Sequence, residues 1–451
     1  MVKPRLHSRR TPDREALRFR VASLSWPRVA GLLVAMLASG LPAAAQQALT
    51  WEQVKAKFEA ANPALRADAI GIDEAKAEEI TAFLRPNLNM TYLLDQLYPF
   101  YTNAYSATLG TASNTGYRPF GNALNEGTIS YLHERRHKRQ LRLEDAKENT
   151  EITISLHSDL ERNLLFNLRD AFVQTLQAKA VLQLAQADLE YYDKIIEISR
   201  ERFRAGDIAQ IDLDRIELLR VQYEVEIQMA IVNLRTAKIQ LLQLLNQRTP
   251  VDQFDVTGKF DWTEALQPLD DFHQIALDNR PDLRAAVQGI EKAKTDHQLA
   301  IANGSTDPTF SVDAGANPPL DPYVGIGFSI PLRIFDRNQG EKQRTLLDID
   351  RSQKTADASR AQVFADVDSS YEQVRSNIAL LKPYKDRYRD QATRVRDTVT
   401  YSYQHGGASL IDFLNAQSDY RVVQLAYLQL IGAYLTAASQ LNLAVGREVI
   451  Q

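Results

Sequence analysis

Apolar and polar residues alternate along this chain with two different periods. From Asn87, the side chains of Leu88, Met90, Tyr92 and Leu94 fall on one side of an extended backbone, with Asn87, Asn89 and Thr91 on the other. That period of two predicts a strand over 87–97 with one apolar face. A second short strand is predicted over 127–132. Strand 309–314 carries Phe310 and Val312 on one face, and strand 323–331 sets Val324, Ile326, Phe328 and Ile330 against Tyr323, Gly325, Gly327 and Ser329.

Elsewhere the period is helical. Residues 50–84 read as a helix pair broken at Asn62-Pro63, because proline suits a first helical turn and forces its predecessor into an extended conformation. From about 134 to 204 there is neither proline nor glycine, and Leu156, Leu160, Leu164, Leu168, Phe172 and Leu176 form a stripe. At ~1.5 Å per residue such a helix is on the order of 100 Å long, more than a globular domain needs. Gly206-Asp207 breaks it. A return helix over 212–246 places Ile227, Ala230, Leu234, Ala237, Leu241 and Leu244 at alternating spacings of three and four, the pattern of a coiled-coil seam. The second half predicts a helix over 281–302, a long helix over 340–404 with a kink near Pro383, and a closing helix over 409–445. Gly432 and Ser439 on the last of these would let a neighbouring helix approach closely.

The two halves say the same thing. Asn62-Pro63-Ala64-Leu65-Arg66-Ala67 is echoed by Arg280-Pro281-Asp282-Leu283-Arg284-Ala285, and Ile72, Ala75 and Lys76 recur 218 positions later as Ile290, Ala293 and Lys294. Phe203-Arg204-Ala205-Gly206, leading to Ile211-Asp212-Leu213, returns 200 positions later as Tyr403-Gln404-His405-Gly406, leading to Ile411-Asp412-Phe413. A repeated order of elements predicts a duplicated structure, with one repeat over 46–250, a connector over 251–270 and a second repeat over 271–451.

The N-terminus follows another logic. Eight Lys or Arg residues among the first 28 precede an apolar run from Val29 to Leu41 that closes in Ala43-Ala44-Ala45, so residues 1–45 read as a signal peptide. An uncleaved anchor is the alternative, disfavoured by the shortness of the run. Ser8-Arg9-Arg10 resembles a twin-arginine signal, but Pro12 and Asp13 stand where apolar residues would follow. Without residues 1–45 the chain holds 45 basic and 55 acidic side chains, a formal charge of −10, which argues against nucleic acid as a partner. The 451 residues contain no cysteine, so neither disulfides nor a lipid-modified cysteine enter the picture. No run of eighteen apolar residues follows the signal, which argues against a membrane-spanning helix.

Strands with one apolar and one polar face suit a transmembrane β-barrel. Four strands cannot close one, since the smallest bacterial barrels have about eight and an open edge in lipid leaves backbone groups unsatisfied. The barrel must therefore be shared between chains, and three protomers would supply about twelve strands beside long helices. A stretch over 98–125 rich in Tyr, Phe, Asn, Thr, Gly and Ser would suit a membrane interface. The competing reading is a soluble periplasmic coiled-coil scaffold with small hairpins.

These features resemble the TolC-type outer membrane efflux proteins across essentially the whole mature chain, 50–449. The most specific matches are the tips Phe203 to Asp212 and Tyr403 to Asp412 and the stretch Phe328-Ser329-Ile330-Pro331-Leu332. Phe335-Asp336-Arg337-Asn338-Gln339-Gly340-Glu341, with Arg204-Ala205-Gly206-Asp207-Ile208, looks most like the branch serving heavy-metal (CzcC-like) pumps of the resistance-nodulation-division type. The resemblance implies a mainly α fold with a small β part, in which duplicated long helical hairpins and four strands per chain assemble as a homotrimer. Its products would be a 12-stranded outer-membrane β-barrel set in lipid and a periplasmic α-barrel. It implies docking on a periplasmic adaptor protein and an inner-membrane pump of RND or ABC type, with no cofactor and no catalysis. Drug export and type I polypeptide secretion are the alternative traffic for the same duct. Gly206, Asp207 and Ile208 with Gly406, Gly407 and Ser409 match the periplasmic tips where the adaptor docks. Asp412 matches an acidic residue lining the closed aperture, whose three copies would attract cations; Asn415 stands where a second acid is common, and Asp212 is the first-repeat counterpart. Asp212 and Asp412 equally fit helix N-terminal carboxylates that stabilise the macrodipole.

His133-Glu134-Arg135-Arg136-His137 spells a zinc-protease pattern. It falls where a strand becomes a helix, with four neighbouring cations and no third ligand in the sequence, so a basic collar at the barrel mouth is the better reading. His273, His297 and His405 are isolated. No nucleophile triad, phosphate-binding glycine loop or cysteine pair supports an enzyme.

Overall fold

In a computed structural model, which describes residues 48–97, 123–317 and 320–450, each half starts with the same backbone device. Helices α1 (Trp51–Ala61) and α2 (Pro63–Ala82) meet at Asn62, which is extended at φ −66° and ψ 120° and accepts the Leu65 N–H on its side chain at 3.0 Å. In the second half, α5 (Leu269–Asn279) and α6 (Pro281–Asn303) meet at Arg280, at φ −69° and ψ 119°. Different side chains then make the same tertiary bond: Asn62 Nδ2 donates to Leu244 O at 3.4 Å, and Arg280 Nη1 donates to Ala444 O at 3.3 Å. Each tie holds the helix pair against the C-terminus of its own return helix. The predicted signal peptide, almost all of the aromatic stretch over 98–125, and residues 318–319 of the second loop lie outside the described residues.

The long helix α3 runs from Lys138 to Ala205, 68 residues, about 100 Å at ~1.5 Å per residue. It begins four residues later than the pattern suggests, because Arg136 and His137 take φ values of 60° and 56°. The leucine stripe is buried at Leu168, Phe172 and Leu176, but Leu156 is 53% exposed. A strict spacing of four drifts by about 40° per step around a helix of 3.6 residues per turn, so the stripe cannot stay on one face. The return helix α4 (Gln210–Leu244) buries Ala230, Ala237 and Leu241 of the predicted seam. A short 3₁₀ turn, Val251–Gln253, starts the connector. There Leu49 and Val256 form a parallel bridge, and Lys179 and Lys238 both pair with Asp255, at 2.6 and 3.2 Å.

The second long helix is divided into α7 (Gln339–Pro383), a π turn (Tyr384–Tyr388) and α8 (Arg389–Gln404). Proline removes one N–H from the helical ladder, and where the sequence suggests a kink the chain widens for one turn and continues. The closing helix α9 runs from Leu410 to Val445. It packs against α3 on one side and α7 and α8 on the other, while α4 packs on α3, so α4 and α7–α8 are the outer members of the row. At Gly432 a β-carbon would lie 2.1 Å from Gln177 Oε1, so glycine lets the Gln177 side chain lie against α9, and a larger residue would have to push that side chain aside. By length and composition alone α9 is apolar enough to cross a membrane, although it holds no unbroken apolar run of eighteen residues. Its Ile431, Tyr434, Leu435 and Leu441 are buried against Phe272, Val363, Val374 and Leu381, as expected of a core helix.

The four strands, β1 (Asn89–Asp95), β2 (Leu124–Leu132), β3 (Thr309–Ala316) and β4 (Tyr323–Ser329), form one antiparallel sheet in the order β1-β2-β3-β4. β2 starts three residues earlier than predicted. Asn125 occupies a position on the apolar face and accepts a hydrogen bond there from Tyr92 OH at 2.8 Å, which hides the alternation.

Candidate functional site: the apolar sheet face and the paired tips

Register aligns the apolar residues in rows. Met90 opposes Ile129, Ile129 opposes Val312, and Val312 opposes Ile326, so one row crosses all four strands. All four are exposed, Met90 at 77% and Ile326 at 90%. Tyr131, Phe310 and Phe328 form a neighbouring row, with the two phenylalanine rings 5.4 Å apart. The reverse face is polar. Thr91, Thr128, Asp313 and Gly325 are aligned there, and Tyr323 OH donates to Glu126 Oε2 at 2.8 Å. β1 and β4 each have only one neighbour among the described strands. A sheet greasy on its outer face, polar on its inner face and open at both edges is one segment of a larger barrel.

At the junction of sheet and helix, the zinc-protease pattern does not form a helical site, since α3 starts only after His137. Glu134 receives Arg142 Nη2 at 2.9 Å, Arg135 N donates to Asp307 Oδ1 at 3.0 Å, and Lys138 pairs with Asp307 at 2.5 Å. Arg139 lies 4.3 Å over the Phe83 ring. The collar is therefore basic in sequence, but its cations are largely engaged locally.

At the other end of the helices the two tips share one turn geometry. Gly206 has φ 81° and Gly406 φ 78°, the left-handed conformation that an L side chain adopts only with strain. Gly206 N donates to Phe203 O at 3.0 Å and Asp207 N to Arg202 O at 2.9 Å; likewise Gly406 N donates to Tyr403 O at 3.1 Å and Gly407 N to Ser402 O at 2.7 Å. These are paired Schellman closures. Gly206, Asp207, Gly406, Gly407 and Ser409 are exposed, and Ile208 is half-buried.

The tips differ in how the return helix begins. Ser409 and Asp412 form a capping box in which Ser409 Oγ donates to Asp412 Oδ2 at 2.6 Å and accepts from Asp412 N at 3.2 Å. The Ser409 side chain, then its backbone N–H, hold the Asp412 carboxyl below the usual range. The first tip has Ala209 at this position and no side-chain cap, leaving Asp212 in the first turn. The helix-cap alternative for Asp412 is thus realised, and it leaves the second carboxylate oxygen outside the box. Asn415 is exposed three positions on, and Asp419, also exposed, lies one heptad beyond Asp412 on the same face. The sequence reading considered Asn415 but not Asp419, although the heptad spacing was available.

Contacts between the hairpins lie just inside the tips. Arg202 Nη1 donates to Tyr403 O at 2.6 Å with its guanidinium 5.0 Å over the Tyr403 ring, which in turn stacks on Phe413 at 5.0 Å. Further along, Tyr191 OH donates to Thr400 Oγ1 at 3.1 Å and Arg421 pairs with Glu226 at 3.2 Å. Among these groups sits Asp188 on α3. Burial pushes its carboxyl up to about 6, against the pull of Arg421 and Arg396 and with a small push from Glu226. A carboxyl that binds its proton more tightly when folded makes stability fall as pH rises from the ordinary value, ~3.9, to about 6, and leaves it flat above. Asp188→Asn is expected to remove that part of the slope in thermal unfolding measured between about pH 4 and 6; an unchanged slope would exclude Asp188 as its source.

The sheet, the hairpins and the open edges define a protomer of an outer-membrane channel. Residues 273–447 match the family described as outer membrane efflux protein, and the first repeat carries the same elements in the same order. That match covers the second repeat, which is of this TolC-type family. It is similar to the cobalt-zinc-cadmium resistance protein CzcC of Cupriavidus metallidurans, 23% identical over 69% of this chain and 74% of that protein. It is also similar to the outer membrane efflux protein BepC of Brucella suis biovar 1, 21% identical over 77% of each. Its fold matches the channel CusC with a TM-score of 0.71 at 16% identity, covering 88% of this chain and 92% of that one. The protein is thus a non-enzymatic efflux channel of the outer membrane that extends into the periplasm, in a family whose channels form trimers. The match over 273–447 and the local pairing of Glu134, Arg135 and Lys138 favour the channel over the scaffold and zinc-protease readings.

Proposed function

We propose that this channel is the exit duct of a tripartite exporter, docked through its tips on a periplasmic adaptor and an inner-membrane pump, and that its cargo is heavy-metal cations. The observation that carries the duct is the Met90-Ile129-Val312-Ile326 row on a sheet with two unpaired edges. Three such sheets joined edge to edge give about twelve strands and satisfy the backbone in lipid. The helices support the same closure. α4, an outer member of the row, exposes Leu218, Val221, Val225, Met229 and Val232, and the opposite outer member exposes Leu380, Tyr388 and Val395, so each apolar edge can be covered by the next protomer. Docking is assigned to Gly206, Asp207 and Ile208 with Gly406, Gly407 and Ser409, the exposed turns farthest from the sheet along the helices. The aperture is assigned to Asp412 and Asn415, with Asp212 from the first repeat and Asp419 one heptad further on.

Metal cargo is supported by the name of the CzcC relative and by acidic side chains in both regions proposed to face the lumen: Asp412 and Asp419 near the tips, Glu126 and Asp313 on the polar sheet face. Deletion of the chain from its host is expected to sensitise cells to zinc, cobalt or cadmium; sensitisation to drugs alone would assign the duct to drug traffic. For the aperture, Asp412→Asn is the informative change, because asparagine still accepts a capping hydrogen bond while removing the charge. Single-channel recordings are expected to show weaker cation selectivity with trimer stability unchanged. Selectivity equal to that of the unsubstituted channel would remove Asp412 from the aperture.

A further inference from the structure

A cavity of about 330 Å³ opens where the start of α1, the middle of α3, the start of α6 and the end of α9 meet, far along α3 from either tip. Its lining mixes the apolar surfaces of Trp51, Leu165 and Phe166 with the cations Lys55, Arg162, Arg169 and Arg447. Two buried donors there, Trp51 Nε1 and Arg162 Nε, have no acceptor. Arg162 cannot swing to find one. Its Nη1 donates to Leu443 O at 2.7 Å and its Nη2 to Asp159 Oδ1 at 2.6 Å, which fixes the plane of the guanidinium.

Arg169 is the third unspent donor. Its guanidinium lies 4.5 Å over the Trp51 ring and 5.9 Å from the Phe172 ring centre, and among the described residues it forms no hydrogen bond or ion pair. Burial pushes its pKa below the ordinary value, against the weaker pull of Glu448 and Glu52. Glu161 and Glu448 also line the cavity, but neither forms an ion pair with these arginines. Buried donors without acceptors are few in folded proteins and costly to keep. Trp51 Nε1 and Arg162 Nε are closed off from the open space itself, which Lys55, Arg169 and Arg447 line beside an aromatic wall.

We propose that this cavity binds an amphiphilic anion, a carboxylate or phosphate head on an apolar body, with the head accepting from the Arg169 guanidinium and the neighbouring cations Lys55 and Arg447 and the body lying against Leu165 and Phe166. The same chemistry is offered by a fatty-acid-like molecule shed from the membrane and by a soluble phosphate.

The test is isothermal titration calorimetry of the full-length protein in a non-ionic detergent, titrated in turn with sodium octanoate and with inorganic phosphate, subtracting the heat of each probe into empty micelles. Octanoate is expected to bind saturably, one per protomer. Arg169→Gln is expected to weaken it by about tenfold or more, the scale of one charge-assisted hydrogen bond, while Arg169→Lys retains part of the affinity. Arg447→Gln, on the exposed rim, is a second variant that leaves the packing of α3 alone and is expected to weaken binding as well. Phosphate binding as tight as octanoate binding would uphold the anion site and assign it to a soluble ion instead of a lipid fragment. No saturable heat with either probe, or octanoate affinity unchanged from the unsubstituted protein in both charge-removing variants, would overturn the proposal.

Discussion

Ile326→Arg is expected to keep the protein out of the outer membrane. Ile326 stands at the middle of β4 and is 90% exposed on the apolar face, the end of the row that crosses all four strands. A cation on the lipid side of a barrel strand costs about 2–4 kcal/mol at the bilayer midplane, and a trimer carries the substitution three times. Nothing on the same face of β3 offers an acceptor, since the cross-strand neighbour is Val312. The variant is expected to lose most of its heat-resistant trimer from the outer-membrane fraction and to fold poorly into lipid vesicles from urea. Thr128→Arg is the matching control. It puts the same charge on the opposite face of β2, beside Asp313 and Thr91, and is expected to insert. Equal insertion of the two variants would show that the apolar face does not meet lipid.

Loss of the Arg280 guanidinium is the second large effect expected. Arg280 is 5% exposed, pairs with Asp282 at 2.5 Å and Asp366 at 2.8 Å, and ties the start of α6 to Ala444 O at the end of α9. Arg280→Met roughly keeps the side-chain volume but takes the guanidinium from two carboxylates and a carbonyl, leaving Asp366 with Gln362 at 2.7 Å and Asp282 with Arg162 at 3.8 Å. Breaking a buried pair in this way costs about 3–5 kcal/mol, here toward the lower end because each carboxylate keeps about a third of its exposure. Burial raises the Asp282 pKa, but the hydrogen bonds and charge of Arg280, the charge of Arg162 and the Leu283 N–H together outweigh it, and the net shift is downward. A depressed carboxylate stabilises the fold above its unfolded pKa, ~3.9, and that stability is lost as pH falls below it. The variant should therefore unfold at lower temperature at neutral pH and show a shallower loss on acidification. Thermal unfolding at several pH values would test both parts, and a variant as stable as the unsubstituted protein would mean that the tie at 444 contributes little.

Much of this architecture was legible because long-range order is written in periodicity. An alternation of two, repeated four times, needs a surface that is apolar on one side, and a run of some seventy residues without proline or glycine needs a long helix. Where the reading departed from the structure, a single side chain had found a local solution that the pattern does not encode. Asn125 sits among apolar residues because Tyr92 OH satisfies its amide. Arg136 and His137 are good enough helix formers in sequence, yet their positive φ values delay α3 while Arg135 and Lys138 are held by Thr306 and Asp307. At the tips, Gly206 and Gly406 were visible as turns because few other residues adopt that backbone. Arg202 was not visible, since its hydrogen bond to Tyr403 O spans 201 positions of sequence and nothing in its neighbours announces it.

The π turn after Pro383 has a consequence in rotational phase. An α-helix advances about 100° per residue, so one residue absorbed in a wide turn rotates everything beyond it by roughly that angle relative to an uninterrupted helix. The buried faces of α7, through Val363, Val367, Val374 and Leu381, and of α8, through Thr400 and Tyr403, are therefore written in two different reading frames of the same helix. Removing a single residue from Tyr384–Tyr388 would leave every side chain of α8 chemically unchanged yet turn Tyr403 away from Arg202 and Phe413, so the second tip is aimed by a counting device some twenty residues, about 30 Å, away from it.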